Sequence, residues 1–315
     1  MTETVTTLSQ DEYDEFGLLH ENAEEWGLPF AGPPPLQRGV IEVGAGEWLS
    51  YIRWGTGEPQ VVFLHGGGQN AHTWDTVALA LGRDAIAFDL PGHGHSYRRA
   101  DRDYGPWRNA EAIALAMERL APNASVVVGM SLGGATTIRL AAAHPELCRR
   151  LVIIDVTPQI NDPSREMSTL ERGSVALIGG PPTYESLEAM ADAAVALSPY
   201  RAASGVRRGV RHNSYRRQDG LWSWRYDLFG PGSADTTDTR AAAYDFTTLW
   251  DDAGRITCPA MFVRGGLSKY VTDDDTDEMK RRIPGLRVEI VDGAGHAVQS
   301  DRPLDLVQLI EDFAP

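Results

Sequence analysis

The sequence predicts an α/β fold, with a doubly wound, mostly parallel sheet and an inserted helical segment. Six short apolar runs have the length and composition of strands that are buried on both faces. Helical patterns separate these runs, and such alternation is typical of a parallel sheet covered by helices. The six runs are Val61–Leu64, Ala85–Phe88, Ser125–Val128, Leu151–Ile154, Ala260–Val263 and Val288–Val291.

The remaining regular elements flank these strands. Gly39–Val43 and Trp48–Trp54 lie on either side of a glycine-containing turn, which predicts an antiparallel pair. Five segments have apolar residues at helical spacing. They are Trp74–Leu81, Trp107–Leu120, Leu132–His144, Asp273–Arg282 and Pro303–Phe313.

One connection is too long for a simple crossover. About 100 residues separate Asp155 from Pro259, with helical patterns at residues 164–177 and 184–196 but no clear strand run. Because a structureless loop of that length is uncommon, we predict an all-helical lid over one edge of the sheet. The predicted division is an acidic arm at residues 1–37, a core at residues 38–156 and 257–315, and a lid at residues 157–256.

Composition and charge exclude several classes of protein. The 315 residues are 42% hydrophobic and 23% charged, as in an ordinary soluble globular protein. The net charge of −15 would repel nucleic acids and anionic membrane surfaces, so neither is an expected partner. Two cysteines, Cys148 and Cys258, are too few for a disulfide-stapled secreted fold. Without a signal peptide or an apolar span of 18 residues, a cytoplasmic location is expected, while the oligomeric state stays open.

The first 27 residues have a composition of their own. They contain eight acids and no lysine or arginine, and the prolines at residues 33–35 follow them. We interpret this segment as a solvated arm with a short helix, joined to the core by a stiff hinge.

The strongest sign of chemistry is the pentapeptide Gly-Met-Ser-Leu-Gly at residues 129–133, between a strand run and a helix pattern. A serine on a tight strand-to-helix turn is held in a strained conformation that exposes its hydroxyl, and the glycines avoid clashes there. The N-terminus of the helix also favours developing negative charge. Ser131 is therefore the candidate nucleophile.

A glycine run at residues 66–68 follows the first buried strand and His65. Such a run leaves backbone N–H groups free to point into a cleft. One of them can pair with the N–H of the residue after the nucleophile to bind an oxyanion. We predict that Gly67 and Leu132 form this oxyanion hole, and that His65 holds the loop in place structurally.

The candidate base is His296, which follows the last strand run and the small residues at 293–295. It lies 165 residues after Ser131 (296 − 131) and completes the chain order serine, acid, histidine. A surface or structural role is expected for the six histidines that remain besides His65. They are His20, His72, His93, His95, His144 and His212.

Together these segments resemble the α/β-hydrolase superfamily. The matching segments are residues 65–68, 89–94, 129–134 and 293–296. The resemblance covers roughly residues 39–315, with the lid matching in position only. It implies an α/β-hydrolase fold whose nucleophile, base and oxyanion hole are Ser131, His296 and the amides of Gly67 and Leu132. It implies no cofactor or metal, and the sequence shows no metal-ligand spacing.

The acid of the predicted triad departs from the family pattern. The family usually places an aspartate after the strand that is here at residues 260–263, but the loop at residues 264–271 contains no carboxylate. Two alternatives are open: Asp155, which ends the preceding strand, and Asp273 or Asp274, at the start of a helix pattern. We prefer Asp155, because a carboxylate at a strand end faces the cleft.

An unusually basic segment lies within the predicted lid. Residues 200–217 contain no acid and six arginines: Arg201, Arg207, Arg208, Arg211, Arg216 and Arg217. One interpretation is a solvated helix paired with the acidic arm. The other is a clamp for an anionic substrate, made by those of the last five arginines that face the cleft, since arginine binds carboxylates in a bidentate manner.

These observations predict a serine hydrolase that cleaves a carboxylic ester of a small organic molecule through an acyl-enzyme, with an anionic monoester as one candidate substrate. Ser131 would attack the carbonyl, His296 would take its proton, and Asp155 would orient the imidazole. Two alternatives stay open. The same residues could cleave a lactone or an activated carbon–carbon bond, or the chain could be a non-hydrolytic binding protein or cofactor-free oxygenase.

Overall fold

The computed structural model describes residues 13–160, 167–227 and 245–315. Ten strands occur in these residues: β1 (Leu36–Gly44), β2 (Glu47–Trp54), β3 (Val61–Leu64), β4 (Ala85–Phe88), β5 (Val126–Met130), β6 (Leu151–Ile154), β7 (Ser214–Arg216), β8 (Trp222–Trp224), β9 (Ala260–Gly265) and β10 (Arg287–Val291). Eight of them form one sheet in the order β1-β2-β4-β3-β5-β6-β9-β10. Strand β2 pairs antiparallel with β1 and β4, and the other five pairs are parallel. The predicted doubly wound, mostly parallel sheet is confirmed.

Eleven α-helices occur in the same residues. They are α1 (Leu19–Trp26), α2 (Asp75–Leu81), α3 (Pro106–Leu120), α4 (Leu132–Ala143), α5 (Thr169–Arg172), α6 (Leu187–Ala196), α7 (Ala203–His212), α8 (Leu249–Ala253), α9 (Asp273–Arg282), α10 (Val298–Asp301) and α11 (Pro303–Phe313). Within the described ranges, no helix combines the length and apolar composition needed to cross a membrane.

The buried strands divide the core into two layers, one on each face of the sheet. Side chains alternate along a strand, so Val62 and Leu64 of β3 pack in one layer while Val61 and Phe63 pack in the other. All four side chains are fully buried. This two-sided burial explains why continuous apolar runs predicted β3, β4 and β6 with their observed bounds.

The prediction of an all-helical lid is wrong. The segment between β6 and β9 contains α5, α6 and α7, but also an antiparallel hairpin of β7 and β8. Each of these strands has only three residues, too few for an alternating pattern to stand out in the sequence.

The bounds of the lid helices also differ from the prediction. The predicted helix at residues 164–177 begins outside the described residues, and its later part forms α5 and a 3-10 stretch at Gly173–Gly179. Helix α6 begins at Leu187, because Ser186 caps its N-terminus. Helix α8 lies inside the predicted lid bounds, but its Leu249 packs in the same core layer as Val62 and Leu64.

The prediction of a solvated acidic arm is wrong for residues 13–27. Helix α1 packs against α2, with Leu19 and Ala23 each only 2% exposed. On the same helix, Asn22 donates a hydrogen bond of 2.8 Å to Thr76. The acids of this segment are spaced so that one helix face remains apolar, and that face is buried. Residues 1–12 lie outside the described residues.

Candidate active site

Ser131 lies on the turn between β5 and α4, with φ 51° and ψ −116°. A positive φ is strained for a residue with a side chain. Two glycines make the turn possible. A Cβ atom on Gly133 would lie 2.2 Å from the carbonyl oxygen of Leu64, and one on Gly129 would lie 2.2 Å from Oγ1 of Thr137. The packing thus requires both glycines that the sequence analysis linked to this turn.

Two buried histidines hold the glycine loop after β3. His65 donates from Nδ1 to the carbonyl of Gly66 at 2.7 Å, and its Nε2 accepts from the amide of Leu90 at 2.9 Å. Nε2 of His93 accepts from the amide of Gly68 at 3.1 Å. Burial lowers the pKa of both imidazoles, to about 3 for His93, so each is neutral and has a nitrogen that can accept. The structural role predicted for His65 is confirmed.

In the described ranges, the two amides predicted as an oxyanion hole have no protein acceptor. Among the described residues, neither the N–H of Gly67 nor that of Leu132 donates a hydrogen bond, whereas the neighbouring amides of Gly66 and Gly68 do. Leu132 is the first residue of α4, where an amide has no intrahelical partner. Both donors are therefore available to a ligand near Ser131.

Asp155 and His296 are in direct contact. Nδ1 of His296 lies 2.6 Å from Oδ2 of Asp155, whose side chain is fully buried. The same oxygen accepts from the hydroxyl of Ser268 at 2.5 Å, and Oδ1 accepts from the amide of Gly265 at 3.0 Å. The carboxylate is thus held by three donors, and it orients the imidazole so that Nε2 is directed away from Asp155.

The alternative acids lie elsewhere. Asp273 is exposed at the start of α9 and pairs with Arg264 at 2.5 Å. Asp274 is also exposed in the first turn of that helix, which Thr272 caps. Asp155 is therefore the aspartate that the fold places against the imidazole.

Further residues fix the loop that carries His296. The Tyr270 ring packs on the imidazole, with the ring centroids 4.0 Å apart. Asp301 is buried and accepts from the amide of Gly295 at 2.8 Å, and burial raises the pKa of its carboxyl group. A Cβ atom on Gly295 would lie 2.9 Å from the ring of Tyr200. These contacts were not predicted, because the local sequence does not show that residues 200, 270 and 301 lie beside the loop that carries His296.

Ser131 and His296 line one cavity of about 330 Å³, which is within the usual range for small-molecule sites. The lid contributes part of the wall, and so does the N-terminal arm. From the arm, Asn22, Glu25 and Trp26 face this cavity. The arm therefore forms part of the candidate site.

The five arginines proposed as a clamp do not form one. Arg208 lines the cavity, but the arm acids Glu25 and Glu21 occupy its guanidinium at 2.6 and 3.5 Å. The other four are exposed. Arg207 pairs with Asp192. Pairing with the acidic arm, the alternative interpretation, is correct for Arg208.

The other three exposed arginines also make contacts outside the cavity wall. Arg217 pairs with Asp219 at 3.0 Å. Arg211 lies over the ring of Tyr13, and Arg216 donates to a backbone carbonyl of the β7–β8 hairpin.

A second polar cluster, His72, Asp75 and His212, has the residue types of a metal site. The two imidazoles, however, stack with their centroids 3.9 Å apart and their planes 12° apart. Ring nitrogens bind metals in the plane of the ring, so two parallel rings cannot point at one ion. In this arrangement the side chains are placed for hydrogen bonds to one another and to the arm, and not for binding a metal ion.

The arm completes this cluster. Nε2 of His72 contacts Glu15 at 3.0 Å, and its Nδ1 contacts Asp75 at 2.8 Å. Burial opposes a charge on His72, but the two carboxylates outweigh it and raise its pKa to about 9. Tyr13 contacts Nδ1 of His212 at 2.5 Å. Burial, reinforced by the charge on His72, holds the pKa of His212 well below its ordinary value.

Comparison with known proteins identifies the family of this chain. The sequence model of the α/β-hydrolase family matches residues 61–309. The chain is 48% identical over 311 residues to the esterase Rv0045c of Mycobacterium tuberculosis, covering 96% of this chain and 97% of that protein. A solved structure of that esterase superposes with a TM-score of 0.81, at 46% identity over 96% of this chain and 98% of the other. The chain is also 28% identical to the 2-(acetamidomethylene)succinate hydrolase of Mesorhizobium japonicum, covering 81% of this chain and 87% of that enzyme. The chain belongs to the α/β-hydrolase family.

Proposed function

We propose that this protein is a serine hydrolase that cleaves a carboxylic ester of a small organic molecule through an acyl-enzyme intermediate. The observation that carries the proposal is the 2.6 Å contact between Asp155 and His296, beside a cavity that Ser131 also lines. In a catalytic triad, a buried carboxylate orients the imidazole that takes the proton of a nucleophilic serine, and the contact between Asp155 and His296 fits that role.

In the first half of the reaction, Ser131 attacks the ester carbonyl while His296 takes the hydroxyl proton. The amides of Gly67 and Leu132 stabilise the oxyanion of the tetrahedral intermediate, and such donors are effective because they are already oriented. His296 then gives its proton to the leaving alcohol, and the acyl group stays on Ser131.

In the second half, His296 takes a proton from water, which attacks the acyl-enzyme. The same two amides stabilise the second oxyanion. As that intermediate collapses, His296 gives its proton to Oγ of Ser131, which releases the acid and restores the hydroxyl. Asp155 stabilises the imidazolium in both halves without itself becoming protonated.

Two comparisons support the choice of substrate. The M. tuberculosis relative is an esterase, which favours an ester bond. The name of the M. japonicum relative gives its substrate as a substituted succinate, and this favours an ester that also carries a carboxylate. A cavity of about 330 Å³ favours a small molecule in either case.

The proposal can be tested with a fluorophosphonate probe and intact-mass spectrometry. The unmodified protein and Ser198→Ala should each gain one adduct, because Ser198 lines the same cavity but lies outside the proposed triad. Ser131→Ala should gain none and should lose ester hydrolysis. Absence of both labelling and hydrolysis in the unmodified protein would favour the non-hydrolytic alternatives. Product analysis would separate ester cleavage from cleavage of a lactone or a carbon–carbon bond.

A further inference from the structure

We propose that Arg201 forms a carboxylate-binding subsite in this cavity, so that the preferred ester carries a free carboxylate on the part of the molecule that faces Arg201. The inference rests on the proposed esterase function, since it describes the substrate of the same site. The role is that of the clamp for an anionic substrate, which the sequence suggested for the five arginines at residues 207–217 and which is here given to Arg201.

Position is the first argument. Arg201 lines the cavity together with Ser131 and His296. Its neighbour Tyr200 packs against Gly295, the residue immediately before His296. Arg201 is therefore anchored beside the loop that carries the candidate base.

Within the part of the chain that the structure describes, the guanidinium of Arg201 has no partner. Among the described residues it makes no hydrogen bond and no ion pair within 4.0 Å, in contrast to Arg207, Arg208 and Arg217. It is half-buried, and burial lowers the pKa of the guanidinium. A cation that has lost part of its hydration without gaining a partner is unfavourable, and an anionic ligand would relieve this cost.

The two acids whose charges act on Arg201 already bind other groups. Asp301 and Glu25 both favour the charge on Arg201. Asp301, however, accepts from the amide of Gly295 at 2.8 Å, and Glu25 binds Arg208 at 2.6 Å. The donors of Arg201 thus remain available, while the surrounding charges keep the guanidinium protonated.

The chemistry of the site favours a carboxylate. The planar guanidinium presents paired donors that match the two oxygens of a carboxylate. Two exposed cations, Arg172 and Lys269, also line the cavity. A monoester of a short dicarboxylic acid has both the ester group and the charge that this arrangement requires.

Monomethyl succinate and dimethyl succinate make a matched pair of test substrates, which differ in the free carboxylate. The unmodified protein should hydrolyse the monoester with the higher kcat/KM. Arg201→Gln should lower kcat/KM for the monoester by about 10- to 150-fold, as expected for loss of a charged hydrogen bond. It should change the diester value less than about twofold. Arg207→Gln is the matched control, since Arg207 is exposed and pairs with Asp192, and it should change neither value.

The inference would be overturned by a monoester that is hydrolysed no faster than the diester in the unmodified protein, or by an equal loss for both esters in Arg201→Gln. If the diester is hydrolysed without any preference, the esterase function stands and only the role of Arg201 fails. Calorimetric binding of succinate, with succinamide as the uncharged control, tests the carboxylate-binding subsite independently of turnover and of any variant that fails to fold. Succinate should bind to the unmodified protein, and failure to bind would contradict the subsite even in a protein that hydrolyses neither ester.

Discussion

The hydroxyl of Ser268 lies 2.5 Å from Oδ2 of Asp155, the same oxygen that contacts His296. Ser268 belongs to the loop after β9, where the sequence analysis expected an acid and found none. The loop instead supplies a donor that holds an acid from the neighbouring strand β6. Ser268 is therefore a positioning residue for the proposed triad.

Ser268→Ala should lower kcat by roughly 10-fold, about the effect of losing one hydrogen bond to a charged group. Ser268→Thr, which retains the hydroxyl, should restore kcat, and steady-state kinetics on one ester would compare the two variants. A kcat that stays low in Ser268→Thr would show that the packing of Ser268, and not its hydroxyl, supports the site.

Asp155→Asn should reduce turnover by roughly 10⁴-fold, the effect of this change in a serine-protease triad. Asp273→Asn and Asp274→Asn should be mild, because both side chains are exposed and the imidazole pairs with Asp155. Steady-state kinetics on one ester would compare all three. The opposite ranking would move the acid to the start of α9, and three mild effects would mean that His296 works without a carboxylate.

Gly133→Ala should lower the free energy of unfolding by about 1–3 kcal/mol, because the added methyl group would collide with the backbone of β3. Gly209→Ala is the control, since a Cβ atom there meets no atom within 4 Å and the position is helical. It should raise stability by up to about 1 kcal/mol. Urea denaturation measures both, and equal effects would contradict the packing described for the turn.

The link between the arm and His72 should depend on pH. The folded state raises the pKa of His72 from 6.5 to about 9, so its stabilisation is complete below pH 6.5 and is lost as the pH rises through about 9. The contribution of Glu15 to stability changes with pH in the opposite direction. Although burial opposes its charge, hydrogen bonds and cations lower its pKa from 4.5 to about 2, so its contribution is complete above pH 4.5 and is lost as the pH falls through about 2.

The difference in Tm between the unmodified protein and His72→Gln should therefore be largest near pH 6 and should shrink between pH 6.5 and about 9. Thermal unfolding across this range checks it. A difference independent of pH would show that packing of His72, and not its charge, stabilises the arm.

Local pattern predicted the sheet well, because β3, β4 and β6 are buried on both faces and their sequences show it directly. Ser131 and His296 could be singled out for a related reason. Each sits on a tight turn at a strand end, where the geometry demands small neighbouring residues that are visible in the sequence.

Several features that depend on distant contacts were not predicted. An acidic segment such as residues 13–27 suggests a solvated chain until its partners, Arg208 and His72, are known. Likewise, the charge of an arginine cluster does not reveal which guanidinium is left without a carboxylate. That depends on the positions of Asp192 and Glu25, which are remote in sequence.

Part of the cavity wall comes from the N-terminal arm, and this bears on which residues would determine substrate choice. The family match begins at residue 61, yet Asn22, Glu25 and Trp26 form part of the wall that a substrate would touch. The proposed reacting groups and part of the cavity wall thus come from separate stretches of the polypeptide. We expect that exchanging residues 13–27 between relatives would change substrate choice and leave the proposed triad in place.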